Sequence, residues 1–235
     1  MEKLNIAGYK FIALHDLSQL RIDWLEVCER LHLKGTIILS PEGINVALVG
    51  QVPDIIAFKA MIAGHELFSD ISFRESYSNK SPFKRLKVKI KKEIITLRCP
   101  EIRPEIKRTP SISPDQFKQW LDEKRVLTVL DTRNNYEIEF GTFVGATRLN
   151  VDDFSELPTV VDQLPTDKPI VMFCTGGVRC EKAGLYLANK GFAEVYQLEG
   201  GILNYFSRVG AAHYSGNCFV FDERVALKPD LQPIC

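Results

Sequence analysis

No window of this chain holds the roughly 18 to 20 consecutive apolar residues that a bilayer-spanning helix needs. The first residues, Met1-Glu-Lys-Leu-Asn-Ile6, lack the apolar core of a signal peptide. Both absences point to a cytoplasmic protein with no membrane partner. Internal repeats and low-complexity tracts are missing as well, which removes repeat architectures. Cysteine is too sparse for a disulfide scaffold: six residues, at 28, 99, 174, 180, 218 and 235, fit reduced thiols rather than the dense framework of a small secreted domain. Metal ligands are equally thin. Cys218 and Cys235 have only His213 nearby in sequence, short of the set that a zinc site takes, so no metal is assigned.

Net charge is absent too, since 30 Lys and Arg balance 30 Asp and Glu, but the balance hides a polarised chain. Between Lys80 and Arg108 lie eleven basic residues, among them Lys84, Arg85, Lys87, Lys89, Lys91 and Arg98, against only Glu93, Glu101 and Glu105. A basic stretch of this density suggests a polyanionic partner, with nucleic acid first. Lys87, Lys89 and Lys91 alternate with Val88 and Ile90, and an edge strand guarded by lysines explains the same pattern.

At 235 residues there is room for two modest domains. Lys10 to Leu14 reads as a strand. Leu17 to Leu31 carries Leu17, Leu20, Trp24, Leu25, Val27, Cys28 and Leu31 at helical spacing, which makes Cys28 a core residue. Strands at Gly35 to Leu39 and Ile44 to Val49, a helix over Pro53 to Ala63, and extended pieces at Ile71 to Tyr77 and Leu86 to Ile95 follow. This order matches a ferredoxin-like α+β domain over residues 1–98.

Residues 99–112 are rich in proline and charge and read as a basic interdomain linker, with no role given to Cys99. Ser113-Pro114-Asp115-Gln116 is a capping box opening a helix over Phe117 to Glu123. Strands at Leu127 to Leu130, Ala146 to Leu149, Ile170 to Phe173 and Val195 to Leu198 alternate with helical segments, as in a parallel α/β sheet over residues 113–210. A C-terminal extension, 211–235, contains a hairpin or arm at Gly216 to Val225 and ends on a lone Cys235, compatible with the first member of a cysteine cluster.

The most informative segment is Val171-Met-Phe-Cys-Thr-Gly-Gly-Val-Arg-Cys180. It places Cys174 at the carboxyl end of an apolar strand, where ligands of parallel sheets bind. The loop that follows, Thr175, Gly176, Gly177, Val178 and Arg179, opens onto a helix starting near Cys180. Free backbone N–H groups, the positive end of that helix and the Arg179 cation all favour a thiolate, so Cys174 is the candidate nucleophile. Cys180, in the first helical turn, reads equally as a second functional thiol or as a small core residue. Arg179 has a structural alternative, bracing the loop through a carboxylate.

Val129-Leu-Asp-Thr-Arg-Asn-Asn-Tyr-Glu137, Gly141-Thr-Phe-Val-Gly-Ala146, the cysteine loop and Gly191-Phe-Ala-Glu-Val-Tyr-Gln-Leu-Glu-Gly-Gly201, in that order, resemble the rhodanese homology domain from about Ser113 to Val209. That resemblance implies a loop cysteine that carries a persulfide or acts as a nucleophile. The six residues from Cys174 to Arg179 are typical of sulfur-handling members and one shorter than the loop of dual-specificity phosphatases. Asp131, Arg133 and Glu137 belong to the same signature and are expected to tie strand ends together, with substrate contact by Arg133 as the alternative. With Gly35-Thr-Ile-Ile-Leu-Ser-Pro-Glu-Gly-Ile-Asn45 and Cys218-Phe-Val-Phe-Asp-Glu-Arg224 added, nearly the whole chain resembles the oxygen-dependent tRNA uridine hydroxylases. The resemblance implies conversion of the wobble uridine, position 34, to 5-hydroxyuridine, with tRNA as partner, molecular oxygen as co-substrate, no assigned metal or flavin, and Cys174 essential. A thiosulfate or persulfide sulfurtransferase is the rival reading, and an RNA-binding adaptor without catalysis is a third.

Overall fold

The computed structural model describes residues 2–234, and the chain folds as two compact units, Met1–Ile94 and Ile95–Cys235. Cys235 lies outside the described residues.

The first unit runs β1 (Lys3–Phe11), α1 (Leu17–Arg30), β2 (Lys34–Ser40), β3 (Gly43–Gln51), α2 (Val52–Ala63), β4 (Arg74–Ser78) and β5 (Leu86–Ile90). Its sheet has the order β4-β1-β3-β2-β5, in which β1, β2, β3 and β4 form the antiparallel ferredoxin-like arrangement and β5 joins parallel to β2 at the edge. In β2, buried Ile37 and Leu39 alternate with half-buried Thr36 and Ile38, so the buried residues share one face. They join Leu4, Ile6, Val46 and Leu48 beneath Trp24 and Cys28 of α1 and Ile55 and Phe58 of α2. Each such fully buried aliphatic side chain stabilises the fold by about 1.5–3 kcal/mol.

Strand β1 begins at Lys3, well before the Lys10 to Leu14 expectation. Asn5 and Gly8 break the apolar alternation there. The buried Asn5 amide is satisfied instead by β4, donating to Ser76 O and Ser78 Oγ at 3.0 Å each. The last extended piece is also shorter than expected, because β5 stops at Ile90.

The second unit contains β6 (Ser111–Ile112), α3 (Pro114–Asp122), β7 (Thr128–Asp131), α4 (Asn135–Ile138), β8 (Gly141–Phe143), β9 (Thr147–Arg148), α5 (Leu157–Val160), β10 (Ile170–Phe173), α6 (Val178–Asn189), β11 (Val195–Leu198), α7 (Gly201–Val209), β12 (Tyr214–Gly216), β13 (Cys218–Phe219) and β14 (Ala226–Leu227). A parallel sheet of order β6-β11-β10-β7-β9 forms its centre. Ile170 and Met172 of β10 point to one core, with Cys180, Ala183 and Leu187 of α6. Val171 and Phe173 point to the other, with Phe117 of α3 and Ile202 and Tyr205 of α7. Burial on both faces explains why β10 is an uninterrupted apolar run. At the start of α3, Ser113 Oγ accepts from Gln116 N at 3.2 Å, the N-cap half of the expected box.

The proline- and charge-rich stretch 99–112, expected as an interdomain linker, packs on the second unit together with the residue Leu97 before it. Leu97 and Ile102 are buried in the α6-side core with Cys99 packed against them, Thr109 Oγ1 donates to Glu181 O at 3.0 Å, and Ser111–Ile112 joins the sheet. Its few apolar residues fall where α6 needs cover, which overall composition does not reveal. In the C-terminal segment β12 pairs with β8 and β13 with β14; of the hairpin or arm expected over Gly216 to Val225 the hairpin forms, its second strand at Ala226–Leu227 just beyond those bounds.

Candidate active site

Strand β10 delivers Phe173 to the sheet's carboxyl end, and the chain then turns through Cys174–Gly177 into α6. The helix starts at Val178, two residues before the Cys180 expectation, with Gly177 as N-cap at φ 100, a conformation that suits glycine. The loop's outer carbonyls are taken up by α7: Ile202 N donates to Cys174 O at 2.9 Å and Leu203 N to Thr175 O at 3.2 Å. That approach requires Gly201, whose φ is +67 and where a Cβ would sit 2.4 Å from Cys174 O. With the loop held so, Gly177 N donates to Cys174 Sγ at 3.1 Å.

Cys174 is 1% exposed. Burial by itself pushes its thiol up, but a hydrogen bond from Cys180, the Arg179 charge and the backbone N–H groups of Arg179 and Gly177 outweigh it and bring the pKa down to about 5. Cys180 moves the opposite way, well above the ordinary thiol range, because it is buried and faces the Cys174 thiolate. It therefore stays protonated and donates. Thr132 Oγ1 lies 3.6 Å from Cys180 Sγ and donates to Phe173 O at 2.9 Å, joining the ends of β7 and β10 beneath the thiol pair. Together these effects favour the thiolate at Cys174 and the thiol at Cys180.

Arg179 is fixed by a buried fork, Nη1 to Glu137 Oε1 at 2.5 Å and Nη2 to Oε2 at 2.7 Å, while Glu137 Oε1 also accepts from Asn134 N at 3.0 Å. Its charge thus braces the loop through a carboxylate and polarises Cys174 together. Arg133 is fully buried: Nε and Nη2 reach Asp131 at 2.9 and 2.7 Å, and Nη2 also reaches Gly141 O at 2.6 Å. These bonds tie β7 to β8, the structural part expected of the signature.

Thr175 and Gly176 are half-buried at the loop's outer side, and Thr175 Oγ1 donates to Phe219 O of β13 at 3.4 Å. Of the basic candidates, Lys84, Arg85, Lys89 and Lys91 are exposed and Lys87 half-buried, all in the first unit around edge strand β5. Arg98 belongs to the second unit and is exposed; the Asp153 carboxylate is held low chiefly by hydrogen bonds from Ser155, with Arg98 and Arg179 adding smaller pulls. Cys28 and Cys218 are core thiols, each pushed up to about 12, chiefly by burial. Among the described residues no group of three or more His, Cys, Asp or Glu is placed to hold a metal ion, and no helix is long and apolar enough to cross a membrane.

Sequence reasoning alone does not single out Thr132, Gly201, Tyr136, Phe219 or Phe221. Gly200-Gly201 closes a motif that carries a fold rather than a role, and the aromatics have no local pattern that joins them.

The UPF0176 acylphosphatase like domain matches residues 4–94 and the rhodanese-like domain matches residues 113–208. A tRNA uridine(34) hydroxylase of Cupriavidus pinatubonensis is 48% identical over 241 residues, covering 99% of this chain and 86% of the relative. One of Paraburkholderia xenovorans is 46% identical over 245 residues, covering 99% and 85%. A crystal structure of a rhodanese-related protein from Thermoplasma volcanium aligns at TM-score 0.38 and 26% identity, over 43% of this chain and 93% of that one.

Proposed function

We infer that this chain, which belongs to the tRNA uridine(34) hydroxylase family, is an oxidoreductase that hydroxylates uridine 34 of tRNA and does so through Cys174. What supports the role of Cys174 is its place in the loop after β10, where Gly177 N donates to its Sγ at 3.1 Å and the Arg179 charge and the Cys180 thiol favour its thiolate. The sheet around it serves to hold that sulfur ionised and dry.

The product is 5-hydroxyuridine, with molecular oxygen as co-substrate. Uridine, one O2, two electrons and two protons give the hydroxylated base and one water, so a two-electron donor works alongside. Carbon 5 of uracil is a poor partner for an oxidant until a nucleophile adds at carbon 6. The Cys174 thiolate forms that S–C6 bond, the C5=C6 electron pair moves to carbon 5, and carbon 5 then takes the oxygen. Loss of the carbon 5 proton and of the thiolate restores the ring. Cys180 remains a thiol through the addition and supplies the hydrogen bond that stabilises the leaving thiolate.

In this reading the ferredoxin-like unit and the basic segment after it hold RNA phosphates in the cytoplasm, and the rhodanese-like unit performs the chemistry. A sulfurtransferase using the same thiolate as a persulfide is the rival, and the full-length likeness to hydroxylases weighs against it. Denaturing electrophoresis of slowed reactions tests the route. A tRNA adduct that forms on wild-type protein and not on Cys174→Ala supports addition at carbon 6. Sulfenate at Cys174 without any adduct would move the oxygen transfer to the oxidised sulfur, with Cys180 as the resolving thiol.

A further inference from the structure

Beside the cysteine loop, the second unit leaves aromatic rings in water that a domain ordinarily covers. Phe221, in the turn between β13 and β14, is 63% exposed, and Tyr136 of α4 is 42% exposed. Their positions are built rather than loose. Phe219 packs edge-on against Phe221 (centroids 5.2 Å, 90°) and Tyr136 (5.4 Å, 85°), and against Phe140 at 5.4 Å. The turn itself is braced by Arg224, whose Nε and Nη2 donate to Asp222 at 2.9 and 2.6 Å.

This face is continuous with both ends of the loop. Thr175 Oγ1 donates to Phe219 O at 3.4 Å, and the Arg179 guanidinium lies 5.7 Å from the centre of the Phe221 ring. An occupant of the face therefore lies against the loop that carries Cys174. The two exposed rings offer a few hundred Å² at most, short of the roughly 800 Å² per partner that a stable protein interface covers. A single flat ring suits the area, and the Arg179 guanidinium beside the Phe221 ring gives the face a cationic edge.

We propose that Phe221 and Tyr136 form a stacking platform that receives the pyrimidine ring of nucleotide 34, turned out of the anticodon loop, and hands it to Cys174; this rests on the hydroxylase reading above. Stacking tolerates any π face but requires the base to be out of its own stack, which is how enzymes that act on bases select their target.

The test pairs the full chain with two otherwise identical tRNAs, one with uridine and one abasic at position 34. Phe221→Ala weakens binding of the uridine tRNA by about 5- to 150-fold, raises KM more than it lowers kcat, and leaves affinity for the abasic tRNA unchanged. Phe221→Trp restores the uridine affinity, and Tyr136→Ala acts in the same direction. An unaltered Cys174 titration in Phe221→Ala excludes a folding defect. Equal affinities of wild type and Phe221→Ala for both RNAs, or an equal loss on both, overturns the platform. So does conversion of a dimer to a monomer by Phe221→Ala, which assigns the face to a second copy. If wild type itself fails to hydroxylate, the hydroxylase reading fails; if wild type hydroxylates and no base-specific coupling appears, only the platform does.

Discussion

The low pKa of Cys174 makes stability depend on pH in a way that few residues do. Folding carries the thiol from the ordinary 9.0 to about 5. Between those values the unfolded chain binds a proton that the folded chain does not, so stability rises with pH through the window and is lost as pH falls toward 5. At roughly 1.4 kcal/mol per pH unit, Cys174 contributes on the order of 3 kcal/mol at pH 7, and above pH 9 the Cys180 thiol, still protonated in the folded chain, works against any further gain. Cys174→Ser removes the ionisation while keeping the shape. Urea unfolding of the two proteins at pH 5.5, 7 and 8.5 should give curves that diverge as pH rises, with wild type gaining on the variant. Thiolate absorbance near 240 nm, taken as wild type minus variant, should step at about pH 5. A constant stability difference across the window, with an absorbance step above pH 8, refutes the electrostatic reasoning.

Gly201→Ala would place a Cβ against Cys174 O and Thr175 O at φ +67; a loss of about 2–4 kcal/mol in urea unfolding is expected, with a higher Cys174 titration midpoint, and near-wild-type values for both would contradict the close approach. Arg179→Met strands a buried Glu137 carboxylate and should cost about 3–5 kcal/mol while raising the thiol midpoint. Adding Glu137→Gln should recover much of the stability in thermal melts but none of the low midpoint; recovery of both would mean that Arg179 acts on Cys174 only through the fold. Lys87→Glu with Lys89→Glu should weaken tRNA binding and flatten its dependence on log salt by about 0.7–0.9 per lost phosphate contact, with the Cys174 titration unmoved. Unchanged binding would leave β5 a lysine-guarded edge.

The cysteine loop is legible in the sequence because its determinants are local: an apolar run, a glycine at the N-cap and a helical pattern follow one another within ten residues, Val171 to Cys180. The alternation of elements is legible for the same reason. What escapes is settled across long separations. The amide of Asn5 looks like a break in a strand until Ser76 and Ser78 arrive to satisfy it. Residues 99–112 look like an exposed linker until Ile102 joins the core that α6 packs on. Glu137 is legible as a signature residue, yet its partner Arg179 lies 42 positions away. Tyr136 and Phe219 meet only because β12 and the hairpin fold back onto β8 and α4, and no periodicity in either segment announces that contact.

The most direct measurement of the central claim is nucleoside mass spectrometry of total tRNA from the source organism with the gene deleted, complemented by wild type or by Cys174→Ala. A Cys174-dependent uridine 34 hydroxylase requires that 5-hydroxyuridine and its derivatives disappear on deletion and return with wild type alone. Return of the nucleoside with Cys174→Ala would contradict the role of the thiol, and a fall in thiolated nucleosides with 5-hydroxyuridine intact would assign the chain to sulfur transfer.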